Sequence, residues 1–129
     1  MNKQISLSNL EDELSQVRTK KKEFLEQIDR IVPWNEWTAM IKPCYYKGER
    51  GNKPYDLGLM LRLYLIQNLY NLADEATVAE VTDSRAFSDF CGVESSNQIP
   101  DLKAYILFDS ICNCHHNIRR ASSLLPGIS

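Results

Sequence analysis

The 129-residue sequence contains no run of about 20 apolar residues, the length a membrane-spanning helix needs. Its longest apolar stretch, residues 56–70, is shorter and is interrupted by Arg62, so no membrane partner is expected. The first thirty residues hold no apolar core of a signal peptide. Without a secretory context, the four cysteines (Cys44, Cys91, Cys112 and Cys114) read as reduced thiols, and the expected location is cytoplasmic. A nucleotide-binding P-loop is also missing. It needs two glycines five positions apart followed by Lys and Ser or Thr, and the segment around Gly48 and Gly51 has neither. Cys112, Cys114, His115 and His116 lie close together in sequence. Their C-x-C-H-H spacing does not match the paired half-sites of structural zinc, and no second half-site is nearby. No metal ligand, cofactor or small-molecule substrate is therefore expected.

What is present points to one helical domain. Hydrophobic residues make up 43% and charged residues 25%, which excludes a disordered chain. Residues 56–70, Asp-Leu-Gly-Leu-Met-Leu-Arg-Leu-Tyr-Leu-Ile-Gln-Asn-Leu-Tyr, are apolar around nearly the whole helical turn. Such a helix belongs in the middle of a domain, with other helices on several sides. Asp56 is placed to cap its first turn, and Asn71 tolerates the left-handed conformation that commonly follows a helix end. The expected fold is all-α: a compact domain around one buried central helix, with a long N-terminal helix.

That N-terminal helix is expected to start at the capping-box pattern Ser8-Asn9-Leu10-Glu11. Leu7, Leu10, Leu14, Val17, Phe24, Ile28 and Ile31 alternate in threes and fours, with Lys21 in the one missing slot. This is a heptad seam with a charge at one a position. It can pack on the domain's own core or pair two chains into a homo-oligomer. Lys20, Lys21 and Lys22 are followed by Glu23, Glu26 and Asp29 and read as a solvated face. Pro33 ends the helix and can open the next, where Trp34, Trp37, Met40 and Ile41 share a face; Pro43 is expected to close it.

Downstream of the central helix, Asp74 is expected to cap a short helix bearing Ala76, Val78, Ala79 and Val81. Ser84 should cap another, bearing Phe87 and Phe90 and ending at Gly92. The short turns allow a helix-turn-helix arrangement with Ser84, Arg85 and Ser88 toward a groove, although the surrounding acids oppose it. A further helix is expected from Asp101, with Leu102, Tyr105, Ile106, Ile111 and Cys112 as its apolar stripe. The end of the chain from Arg119 has no clear pattern.

Charge is unevenly spread behind a net value of −2. Residues 42–62 carry five cations against two acids, and residues 74–101 carry seven acids against one arginine. Lys47, Arg50 and Lys53 are spaced through the expected loop Cys44-Tyr45-Tyr46-Lys47-Gly48-Glu49-Arg50-Gly51-Asn52-Lys53-Pro54-Tyr55. A glycine-containing loop of this kind can follow a phosphate backbone. These three, with Arg62, are the candidate DNA contacts.

Four blocks of the sequence resemble the N-terminal domain of bacterial insertion-sequence transposases of the DDE type, the IS-five family. They are Ile31-Val32-Pro33-Trp34; Gly51-Asn52-Lys53-Pro54-Tyr55-Asp56 with Met60-Leu61-Arg62; Gln67-Asn68-Leu69-Tyr70-Asn71-Leu72-Ala73-Asp74; and Asp83-Ser84-Arg85-Ala86-Phe87-Ser88-Asp89-Phe90-Cys91-Gly92 closing on Ile99-Pro100-Asp101. The resemblance implies a helical domain ahead of a ribonuclease-H-like catalytic domain, acting on terminal inverted repeats of DNA. After Asp101 the family continues with a helix bearing a threonine and then a Phe-Arg pair. This chain instead reads Leu102-Lys103-Ala104-Tyr105-Ile106-Leu107-Phe108-Asp109, and the resemblance stops.

Residues 1–101 are thus expected to form the transposase-type domain, and residues 102–129 a divergent tail produced by a frameshift or decay. No residues correspond to the family's catalytic carboxylates, so no catalytic residue is assigned. The leading expectation is a truncated transposase fragment that binds DNA or assembles without catalysis. The alternatives are a helical oligomerisation fragment without DNA affinity that joins full-length transposase, and a small enzyme using Cys112, Cys114, His115 and His116.

Overall fold

A computed structural model of the chain describes residues 7–45 and 55–123. Its regular elements are helical among those residues: α1 (Leu7–Ile31), α2 (Trp34–Tyr45), α3 (Leu57–Tyr70), α4 (Asp74–Asp83), α5 (Arg85–Cys91), a 3₁₀ turn (Ser96–Gln98), α6 (Leu102–Cys114) and α7 (His116–Ser123). The fold is all-α, as the periodicities require. The chain divides into two compact units, Met1–Val32 and Pro33–Ser129. The division therefore falls at Pro33, and the residues after Asp101 belong to the larger unit.

The first unit is essentially α1. Its 25 residues span about 37 Å at 1.5 Å per residue. The helix includes Leu7, so Ser8 sits inside its first turn and not at the flanking cap position. Leu10, Leu14 and Val17, three successive members of the seam, are exposed. The last backbone bond runs from Val32 N to Ile28 O at 3.1 Å. Pro33 stops propagation there because its ring disfavours the helical conformation at Val32.

In the second unit, the Pro33 carbonyl accepts from Glu36 N and Trp37 N at 3.0 and 3.1 Å and so opens α2. Trp37 and Ile41, four apart, are the buried pair of that helix. Pro43 does not close it: the helix runs on to Tyr45. Pro43 lies in the exposed last turn, where the Ala39 carbonyl that loses its partner faces solvent.

Nine of the fourteen residues of α3 are buried, and α2, α4, α5, α6 and α7 all pack on it. All-round burial follows from an all-round apolar sequence. Each fully buried leucine contributes about 1.5–3 kcal/mol through surface removed from water. Asp56 caps the helix by accepting from Leu59 N at 3.0 Å. Asn71 adopts the left-handed conformation, φ 55° and ψ 53°, and directs its N–H to Gln67 O.

The next helix departs from expectation at one point. Ala73, not Asp74, occupies the cap position of α4, and the Asp74 carboxylate instead accepts from Gln67 Nε2 at 2.7 Å. A partner on the central helix thus takes the oxygen that a local cap would use. Ser84 caps α5 through Phe87 N at 3.3 Å, and Gly92, with φ 74°, ends it. Asp101 caps α6 through Ala104 N at 2.8 Å.

The buried stripe of α6 is Tyr105, Phe108 and Cys112, while Ile106 and Leu107 are exposed. Tyr105 reaches Gln67 on α3 and the Phe108 ring meets Tyr45 on α2, while Ile106 and Leu107 are left outside. The last helix, α7, buries Ile118 and Ser122. Residues 102–123 are therefore a folded part of the core.

Candidate nucleic-acid interface

Lys47, Arg50 and Lys53 lie outside the described residues. The described ends of their loop are held together: the Tyr45 hydroxyl donates to the Tyr55 carbonyl across 2.6 Å. The Tyr45 ring stands edge-on to Phe108, 5.5 Å between centroids. The end of α2 and the residue Tyr55 ahead of α3 are thus held at one closed point. That is a suitable base for a loop carrying three cations.

Arg62 is placed differently from the loop cations. Its guanidinium lies 4.1 Å from the Trp34 ring centre and 5.0 Å from that of Phe90, and Nη1 donates to the Phe90 carbonyl at 2.9 Å. Trp34 also meets Trp37 and Phe90, each at 6.1 Å. A half-buried cation between two aromatic faces ties α2, α3 and α5 together. The tryptophans pack there on Arg62, Phe90 and each other.

On α5 the groove-facing candidates are also engaged locally. The Ser88 hydroxyl bonds the Ser84 and Val81 carbonyls at 2.7 and 3.1 Å. Arg85, fully outside, has Asp89 one turn on at 3.7 Å.

The cysteines and histidines near the end of α6 diverge. Cys112 is buried and Cys114 exposed. Burial, with the Asp109 carboxylate beside it, pushes the Cys112 thiol well above its ordinary range. His115 Nδ1 accepts from Ile118 N at 3.4 Å and opens α7. Cys44, Ser110, Ile111, Cys114 and His115 line an open cleft of about 430 Å³ next to the base of the loop. Among the described residues, no three His, Cys, Asp or Glu side chains are placed to hold a metal ion.

A polar network runs through the apolar interior. Gln67 on α3 donates to Asp74 on α4 and accepts from the Tyr105 hydroxyl of α6 at 2.6 Å. Tyr64 donates to Asn113 Oδ1 at 3.0 Å, and Asn113 Nδ2 donates to Asp109 at 3.2 Å. The Asp74 carboxyl faces Asp109. Burial first, and then this second carboxyl group, push the Asp109 carboxyl up to about 7, against opposing hydrogen bonds from Asn113 and Gln67. Two carboxyls this close favour holding one proton between them. Reading the sequence in order did not reveal this cluster. Its signal was the polar residues Gln67, Asn68 and Asp109 set inside otherwise apolar runs.

No helix of the described residues is long and apolar enough to cross a membrane. The family model described as Transposase domain (DUF772) matches residues 12–110, well over half of the chain and nine residues past Asp101. No solved structure matches.

Proposed function

This chain belongs to that transposase-domain family, and from this premise we propose that it serves in DNA transposition as a DNA-binding and assembly domain that does not itself cut DNA. The observation that carries the reading is the family match, which takes in the basic loop and the helices at its base. The loop supplies the chemistry: Lys47, Arg50 and Lys53 on a segment pinned by Tyr45 and Tyr55. Cations on such a segment can follow successive phosphates while the helical unit stays rigid. Following the IS-five resemblance, the DNA would be the terminal inverted repeats of an insertion sequence, and the catalytic carboxylates would lie outside the residues of this helical domain. Assembly would use α1, whose Leu10, Leu14 and Val17 form an exposed apolar stripe at heptad spacing suited to a second copy.

The test is a salt titration of duplex binding. Each neutralised phosphate lowers log K by roughly 0.9 per unit of log salt. Replacing Lys47, Arg50 and Lys53 together by alanine should weaken binding and flatten the slope by up to about 3 units. The net charge moves from −2 to −5, so the Lys20, Lys21 and Lys22 triple is the charge-matched control. Equal behaviour of the two triples, or no affinity of the wild type at low salt, would remove the loop as a DNA contact. Incubation with Mg²⁺ or Mn²⁺ should leave DNA intact; cleavage that survives stringent purification would overturn the non-catalytic part.

A further inference from the structure

Six cations of the larger unit lie among the described residues: Lys42, Arg62, Arg85, Lys103, Arg119 and Arg120. Arg62 is taken up by Trp34 and Phe90, and Arg85 is beside Asp89. Arg119 and Arg120 are exposed on α7, a helix with no acidic residue, and neither has an ion-pair partner among the described residues. The ordinary role for arginines near a helix end is to satisfy its last carbonyls. Here hydroxyls take that role: Ser122 Oγ donates to Arg119 O at 3.1 Å and Ser123 Oγ to Arg120 O at 2.8 Å. Both arginines are left exposed, with no ion pair among the described residues.

Their position in the fold is specific. Helix α7 packs on α2, α3 and α6. His115, the residue before it, lines the same cleft as Cys44, one residue from the Tyr45 that closes the basic loop. Lys42, also exposed, lies one turn back on α2. Lys103 sits at the far end of α6, roughly 16 Å along the axis from Cys114 at 1.5 Å per residue. The acids Asp74, Glu75, Glu80, Asp83 and Asp89 are all on α4 and α5.

We propose that Arg119 and Arg120 form a second phosphate-contacting surface for a DNA duplex, on a helix that packs against α2, whose last residue Tyr45 holds the base of the basic loop. The inference rests on the DNA-binding reading above and extends it to the C-terminal helix. Guanidinium suits the role because its planar set of donors engages phosphate oxygens in pairs. A surface on α7 together with the loop would hold the backbone at two separated points, which fixes the orientation of the duplex as well as its attachment.

The experiment is fluorescence anisotropy of the full chain with a short labelled duplex of arbitrary sequence, over a range of KCl concentrations. Arg119→Ala with Arg120→Ala should flatten the log K against log salt slope by up to about 2 units, from roughly 0.9 per phosphate lost. Arg119→Lys with Arg120→Lys, which keeps both charges, should retain the wild-type slope. Arg85→Ala with Lys103→Ala makes the same charge change elsewhere and should leave the slope unchanged. Circular dichroism melts confirm that each variant is folded. An unchanged slope in the alanine pair, or an equal flattening in the control pair, overturns the α7 surface and leaves the loop reading standing. Absence of salt-dependent binding by the wild type removes both.

Discussion

The Tyr105 hydroxyl reaches the side-chain carbonyl of Gln67 across 2.6 Å and fastens α6 to the last turn of the central helix. Burial pushes that hydroxyl above its ordinary range, so it remains a donor at every working pH. Tyr105→Phe keeps the ring but leaves the Gln67 oxygen without its donor. The expected cost is about 1–3 kcal/mol, the range for a buried polar group losing its partner. Urea unfolding should show a lower midpoint at an unchanged slope; an unchanged midpoint would mean that the bond contributes nothing net.

The Asp74 and Asp109 pair sets a pH dependence. The folded carboxyl of Asp109 is raised from 3.8 to about 7, so between those values the native state binds more protons than the unfolded chain. Stability from this group is therefore present at acid pH and lost as pH rises through about 7. The groups facing it are Asp74 from α4, Gln67 from α3, and Tyr105, Cys112 and Asn113 from its own helix. Asp109→Asn should flatten the melting temperature against pH across that window and make the variant the more stable protein above it. A variant that tracks the wild type at every pH would rule the carboxyl pair out as the source.

Arg62 is expected to matter for the fold. Arg62→Ala removes a charge-assisted hydrogen bond and two ring contacts, together worth about 2 kcal/mol or more. Arg62→Lys should recover only part of this, because an ammonium lacks the flat face that stacks on Trp34. Neither change should alter the salt slope of DNA binding by as much as the loop triple. A folded, fully stable Arg62→Ala protein with weakened DNA binding would instead show Arg62 acting as a DNA contact.

Lys21 tests the seam of α1. A charged residue at an a position costs stability but limits register. Lys21→Leu should therefore give a larger or tighter oligomer by light scattering. A variant that stays monomeric across concentration would end the proposal of pairing through α1.

Local physics made much of this architecture readable in advance. The all-round apolar residues 56–70 had to be central. Asp56, Ser84 and Asp101 had to cap, since each needs only a donor two or three residues ahead. Asn71 and Gly92 had to turn, since few other residues accept positive φ. The family pattern was legible for the same reason, as it is written in short blocks. The tertiary structure decided what depends on partners far away in sequence. Gln67 drew Asp74 away from the capping position. Trp34 and Phe90, 28 residues before and after Arg62, drew that cation from the solvent side to a half-buried place. The surfaces of α2, α3 and α4 selected Tyr105, Phe108 and Cys112 from an α6 sequence that is apolar on more than one face. Residues 119–123, which carry no readable pattern, continue α7 because Ile118 and Ser122 on it found a core to enter. Capping and periodicity act within a few residues and are carried by the sequence itself; burial and charge pairing act between elements and exist only once the helices have met.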